Sequence, residues 1–327
     1  MRSGVRTVRI GVALLLCGVL AACGLNAGSA VPGKVGPGSI HPVPALQGVP
    51  ITVGSKDFSD NINIAYIMIY ALQAAGMDVK DLTNIQGSNS ARTALETGQI
   101  DVYPEYTGTS WINYNGNTKP IVNPRQMFNA VNREDQKQGI TWVDMAPANN
   151  TYAMAVGPSV EKKYGFKTLS DMAKYAKAHP KDTTVCLETE FASRADGWPG
   201  MIKKYGFSVP KSNITILGTG AVYPATAANQ PCKFGEVFTT DGRIKALNLT
   251  VLADDQKFFP KYNVSVSIRT EVLKAHPQIA TVLKPVMDKL TNKVMIQLNS
   301  DADVSGQDWS LIARNWLAKN GFVTKQS

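Results

Sequence analysis

Asp101-Val102-Tyr103-Pro104-Glu105-Tyr106-Thr107-Gly108-Thr109 is the stretch whose reading decides the fold. It puts two tyrosines, two carboxylates and two threonines into nine residues. Pro104 biases Tyr103 away from the α region, so residues 100–103 predict a strand that ends here. Gly108 permits a sharp backbone bend after it. Such a turn is either an ordinary strand-to-helix connection with half-buried tyrosines or one wall of a ligand pocket, and the rest of the chain has to decide.

Upstream, residues 51–53 and 79–85 read as strands. Between them lies the apolar run 62–75, with Ser59 as its expected N-cap and Gly76 as its end. Residues 88–97 form a second helix, capped by Gly98. Strand, helix, strand, helix in this rhythm argues for a parallel sheet covered by helices. Ligands in such sheets sit outside the carboxyl ends of the strands, where the Lys56 loop and the Tyr106 loop both fall. A strand–loop–helix start leaves free N–H groups at the loop, and Lys56 adds a full charge, so together they suggest an anion site. A plain surface lysine is the alternative reading of Lys56.

Downstream, residues 123–138 predict a helix and 140–143 a strand. The apolar alternation after Asn150 reads as a strand leaving the first half. A second α/β series follows, with helices at 169–178, 199–205 and 223–229 and strands at 184–187, 214–217 and 249–252. Residues 264–268 alternate as a strand should and return to the first half. From Glu271 the chain is expected to be helical to its end, broken at Pro277 and around Gly306. The expectation is an α/β protein of two lobes with a ligand cleft between them. Lobe 1 takes residues 50–150 and 264–327, and lobe 2 takes 151–263.

The N-terminus carries an address. Arg2, Arg6 and Arg9 precede an apolar segment, 10–20, too short to span a bilayer. Leu20-Ala21-Ala22-Cys23 follows and resembles the lipobox of bacterial lipoproteins, in which the cysteine becomes the lipid-modified first residue. Residues 1–22 are therefore expected to be a signal peptide and 23–49, rich in Gly, Pro, Ser and Ala, a lipidated flexible tether. No later apolar run reaches transmembrane length, so the chain is expected at the extracytoplasmic face of the cell membrane, anchored by lipid.

Of 327 residues, 34 are basic and 25 acidic, a net charge of +9. Three of those positives are the signal-segment arginines, which leaves +6 from Cys23 onward, and no Lys/Arg run marks a nucleic-acid face. No nucleic-acid partner is expected. Cys17 is lost with the signal and Cys23 carries lipid; Cys186 and Cys232 remain in an oxidising compartment, where a disulfide is expected and two free buried thiols are the alternative. His41, His179 and His276 are scattered and none has ligand spacing with a cysteine, so neither a metal site nor a cofactor is expected. No Gly-x-Ser-x-Gly elbow is present and the histidines lack partners, which argues against a secreted hydrolase and leaves no catalytic residue to name. Asp254-Asp255 are adjacent acids, which on a strand end usually point apart.

Several separate blocks, in order, carry a resemblance. They are Val53-Gly54-Ser55-Lys56 with Phe58, the Tyr103–Thr109 stretch, and Asn150-Thr151-Tyr152-Ala153. Then come Glu190-Phe191 with Arg194, Asp196-Gly197 and Pro199-Gly200, Thr240-Asp241-Gly242-Arg243-Ile244, and Asp254-Asp255 with Phe258-Phe259-Pro260 and Tyr262. From about Ile51 to its C-terminus the chain resembles the substrate-binding lipoproteins of ATP-driven importers for glycine betaine, choline and related osmoprotectants. The resemblance implies a two-lobed periplasmic-binding-protein fold of type II and a monomer. Its partners would be a small quaternary ammonium ligand, the transmembrane subunits of an ABC permease and, through the lipid anchor, the membrane. It implies Tyr106, Tyr152 and Tyr262 as walls of an aromatic cage, because a quaternary ammonium donates no hydrogen bond and is held by ring faces. It implies Lys56, Thr109 and Arg194 as donors to a ligand carboxylate. Phe238 stands where the family commonly has another tyrosine, and Asn150 is expected to orient the cage. An extracytoplasmic sensor of the same fold is the alternative to a transport protein.

Overall fold

In a computed structural model, which describes residues 28–119 and 121–326, the chain builds two α/β halves on separate sheets. The expected signal segment 1–22 and Cys23 lie outside the described residues. The first sheet contains β1 (Ser29–Ala30), β3 (Pro50–Lys56), β4 (Asp78–Ile85), β5 (Val102–Tyr106), β6 (Ile140–Val143) and β12 (Val264–Arg269), in the order β1-β4-β3-β5-β12-β6. The second contains β7 (Tyr152–Val156), β8 (Val185–Leu187), β9 (Ile214–Ile216), β10 (Phe234–Phe238) and β11 (Thr250–Val251), in the order β11-β7-β10-β8-β9. A small third sheet pairs β2 (Val35–Pro37) with β13 (Val323–Lys325).

The two large sheets share a plan. β4, β3 and β5 are parallel, as are β10, β8 and β9. β12 and β7 run antiparallel to their neighbours. Parallel neighbours need a crossover within the same half, whereas β7 and β12 arrive from the other half and enter the opposite way. The sheets are therefore mixed rather than wholly parallel. The two crossings, near residues 149–150 and 262–263, bridge each other antiparallel at Asn149 and Asn263.

Helix α1 (Ser59–Ala74) is apolar on nearly every face and is buried to match. It packs on β3 and β4 on one side and on the C-terminal helices, including α6 (Asn292–Asp303) and α7 (Trp309–Lys319), on the other. Its N-cap is Phe58, not the expected Ser59. The Ser59 hydroxyl donates instead to the Asp303 carboxylate at 2.5 Å, a charge-assisted partner. The α2 helix (Ser88–Glu96) follows β4, and α3 (Pro124–Gln136) starts on an Asn123 cap whose side chain accepts the Gln126 N–H.

The expected tether is corrected over its described part. Residues 28–49 pack on the half that carries the first sheet: β1 pairs with β4, β2 with β13, and Val35, Ile40 and Leu46 are buried. Single apolar anchors among Gly and Pro are enough here because backbone pairing supplies the rest, including Val43 N–H to the Ala75 carbonyl. The C-terminus is likewise corrected: it ends in strand β13 rather than in helix.

Pro104 sits inside a central strand. Its carbonyl accepts from the Asn61 side chain at 2.8 Å, so its nitrogen faces the same edge, where pairing of β5 with β3 has already stopped at Val102. Gly108 bends nothing unusual: it lies in the helical turn Thr107–Thr109, and its role is to leave room for a neighbour. Cys186 on β8 and Cys232 just before the adjacent β10 are fully buried and joined by a disulfide, with Cα atoms 5.5 Å apart.

Candidate functional site

A cavity of about 520 Å³ opens between the halves, beyond the carboxyl ends of β3 and β5. Lys56, Tyr106 and Thr109 line it from the first half, and Tyr152, Arg194 and Phe238 from the second. Asn150 and Tyr262 line it from the two crossings. All eight residues expected at a site from sequence thus meet in one space, although they come from segments spread over two hundred residues.

Lys56 is not the exposed loop cation that its position suggested. It is the last residue of β3, 2% exposed, and its Nζ lies 2.6 Å from Glu105 Oε1. Glu105 also accepts from the Tyr103 hydroxyl at 2.6 Å, the Tyr114 hydroxyl at 2.9 Å and the Tyr106 N–H at 2.6 Å. Every lone pair of this fully buried carboxylate is thereby directed, as burial of a charge requires. The side chain that crowds the α1 start is Asp60, also buried. Its Oδ2 accepts the Tyr106 hydroxyl at 2.6 Å, and its Oδ1 accepts from Thr240 of the second half and from Asn299, each at 2.9 Å. Burial raises its pKa in spite of those hydrogen bonds. An anion at the α1 terminus is supplied by the protein itself.

Arg194 forks onto Asp196, Nε to Oδ1 at 2.9 Å and Nη2 to Oδ2 at 2.6 Å. The pair is buried rather than a surface ion pair. Nη2 also reaches Thr109 Oγ1 across the cleft at 3.4 Å, and the Tyr262 hydroxyl donates to Asp196 Oδ2 at 2.6 Å. One carboxylate therefore fixes both a guanidinium and a cavity tyrosine. Asn150 Oδ1 accepts the Thr240 N–H at 3.4 Å, and the Asn150 N–H donates to the Tyr262 carbonyl, which ties a crossing to the wall it carries.

The rings form a connected wall. Tyr152 stands 5.3 Å from Tyr262 at 81°, 5.1 Å from Phe238 and 4.9 Å from Phe191. Phe238 in turn stacks on Phe58 of the first half at 5.3 Å and 13°. Phe58 lines the cavity and lies 5.7 Å from Tyr106, so it is a ring that site assignment from sequence missed. Its signal was present, as an aromatic two residues past the strand end in the first block.

Acidic residues were missed as well. Glu188 and Glu190 line the cavity at the start of α4 (Thr189–Ser193), where Glu188 caps the first turn by accepting the Glu190 N–H at 2.7 Å. Glu190 Oε1 accepts the Ser88 N–H at the start of α2, across the cleft. Burial opposes its charge, but Lys56, the Ser88 N–H and Arg194 outweigh it and hold the pKa below the usual range. Behind them, Glu236 on β10 accepts the Glu188 N–H, and burial pushes its carboxyl up to about 8. The α5 helix (Thr219–Ala228) begins four residues earlier than expected and brings Gly218 and Thr219 to the cavity rim. Asp254 and Asp255 have separate partners, Tyr205 and the Ser170 N–H, and form no acid pair. Among the described residues no cluster of three or more His, Cys, Asp or Glu could hold a metal ion, and no helix is long and apolar enough to cross a membrane.

Residues 49–319 match the family model described as "Substrate binding domain of ABC-type glycine betaine transport system". The "Glycine-betaine-binding protein" of Pseudomonas aeruginosa is 34% identical, over 84% of this chain and 89% of that protein. "Glycine betaine-binding protein YehZ" of Escherichia coli is 30% identical, over 86% of this chain and 94% of that one. Among solved structures, a "glycine betaine/carnitine/choline ABC transporter" chain superposes with a TM-score of 0.67 at 27% identity, covering 83% of this chain and 99% of the other. The two-lobed architecture is that of the type II periplasmic binding proteins. Matched over most of its length by sequence and by fold, the chain belongs to the family of substrate-binding domains of ABC-type glycine betaine transport systems, extracytoplasmic proteins that bind a solute for import and catalyse no reaction.

Proposed function

We propose that the cavity captures a quaternary ammonium compound and that the loaded protein delivers it to the transmembrane subunits of an ABC permease. Tyr106, Tyr152, Phe238 and Tyr262 act as ring walls for the ammonium group. Lys56, Thr109 and Arg194 offer N–H and O–H groups to the ligand's polar end, and Asn150 orients the walls. Lobe 1, residues 50–150 and 264–327, and lobe 2, residues 151–263, close on the ligand about the two crossings. The observation that carries this reading is the convergence of tyrosine and phenylalanine rings from both halves on one space of about 520 Å³. A ligand touching both lobes stabilises the closed form by its differential affinity for it. Lipid on Cys23 holds the protein, a monomer, at the outer face of the cytoplasmic membrane; the sequence before residue 24 supports that anchor.

Titration calorimetry of the mature protein against glycine betaine, proline betaine, carnitine and choline tests the ligand class. Saturable heat with at least one of them is expected. No heat and no thermal shift with any would remove the class.

A further inference from the structure

Resting on the quaternary-ammonium reading, the charges around the cavity narrow the ligand further. Both cations that face it are already neutralised at contact distance, Lys56 by Glu105 at 2.6 Å and Arg194 by Asp196 at 2.9 and 2.6 Å. Three more carboxylates, Asp57, Glu188 and Glu190, line the same space. A ligand carboxylate would best sit at the start of α2, whose cap is Gly87 and carries no side-chain acceptor. Glu190 fills that position from the opposite lobe, on the Ser88 N–H, and lies 3.4 Å from Arg194 as well.

We infer that this site selects ligands of net positive charge, a quaternary ammonium joined to a neutral hydrogen-bond donor such as a hydroxyl, over zwitterions with the same head group. A second carboxylate brought in by the ligand would face Glu188 and Glu190 in a space whose cations are already paired. A hydroxyl in its place donates to either of them, and the unbalanced acids attract the ammonium through the ring wall. Burial opposes the charge on Glu190, but Lys56, the Ser88 N–H and Arg194 outweigh it and hold its pKa below the usual range, so Glu190 is the carboxylate that a ligand carboxylate would meet first.

Choline and glycine betaine share the trimethylammonium group and differ in carrying a hydroxymethyl or a carboxylate, so their ratio of affinities reads the exchange of a charged acceptor for a neutral donor, and the Gln variants isolate the charge. Calorimetry of the mature protein is expected to give choline at least about tenfold tighter binding than glycine betaine at low salt. Glu190→Gln and Glu188→Gln keep the hydrogen-bond acceptor and remove the charge, and each is expected to narrow that ratio several-fold; if one variant does not fold, the other carries the test. Equal or tighter binding of glycine betaine by the wild type would overturn the inference, as would an unchanged ratio in the folded variants. Binding of other betaines but not of choline would overturn it while sparing the parent reading. Binding of no quaternary ammonium at all would remove both.

Discussion

The ring of Tyr262 lies so close to Gly108 that a β-carbon on residue 108 would come within 2.6 Å of Cδ1 and 2.7 Å of Cε1. The same tyrosine donates to Asp196, which holds Arg194, so displacing the ring disturbs a wall and a cation together. Gly108→Ala is expected to lower affinity for the ligand about tenfold, the scale of an overpacking strain of roughly 1–3 kcal/mol read at 1.4 kcal/mol per decade. Calorimetry on folded variant, checked by circular dichroism, measures it. An unchanged affinity would mean that the Tyr262 ring is not a wall of the site.

Tyr152 packs with four rings and Arg194, while Asp255 is exposed, lies outside the cavity lining and accepts the Ser170 N–H. A good cation–π contact contributes roughly 0.5–2 kcal/mol. Tyr152→Ala is therefore expected to weaken ligand binding about tenfold or more, and Asp255→Ala to leave it unchanged. Equal effects of the two substitutions would count against the ring wall as the seat of recognition.

The residues that line the cavity were legible because they stand in blocks of aromatic and charged residues that occur together and in order. The order of the blocks that hold Tyr106, Tyr152, Arg194 and Tyr262 carries the family resemblance, while the strand–helix rhythm by itself placed only the Lys56 and Tyr106 loops beyond the strand ends. Their partners were not legible. Asp60 meets Thr240 from 180 positions away, and Glu190 meets Ser88 from 102, and no periodicity encodes such pairings. The same limit misread Lys56, whose paired state depends on Glu105 in a neighbouring strand. Residues 28–49 were misread for a different reason: composition reports the flexibility of a segment by itself, while Val35, Ile40 and Leu46 are ordered by surfaces that other segments supply.

Cys186 and Cys232 are separated by 46 positions and bridge two parallel neighbours, β8 and the start of β10. Closing a loop of that length in the unfolded chain is worth about 4 kcal/mol in the chain-entropy account. Thiol labelling of the mature protein, unfolded but unreduced, is expected to find no free thiol, and reduction is expected to lower the melting temperature by several degrees. Two labels per chain before reduction would show the cysteines to be free.

Glu236 links stability to pH. Its carboxyl is 3% exposed and is pushed up to about 8 in the folded protein, first by burial, then by Glu188 and Glu190 against the opposing pull of Arg194. In the unfolded chain it titrates near its ordinary value of about 4.3. Between those two values the folded state binds the extra proton, so stability falls as pH rises through that window and levels off above about 8. Glu188, raised in the same direction by its own burial, adds to the fall. Glu236→Gln keeps the acceptor for the Glu188 N–H and removes the ionisation. Thermal melts from about pH 5 to 8.5 are expected to show a shallower decline in the variant, with its largest gain over wild type at the alkaline end. A variant profile running parallel to that of the wild type would mean that Glu236 ionises in the folded protein much as it does in water, and that the acids beneath the cavity are not held protonated by their burial.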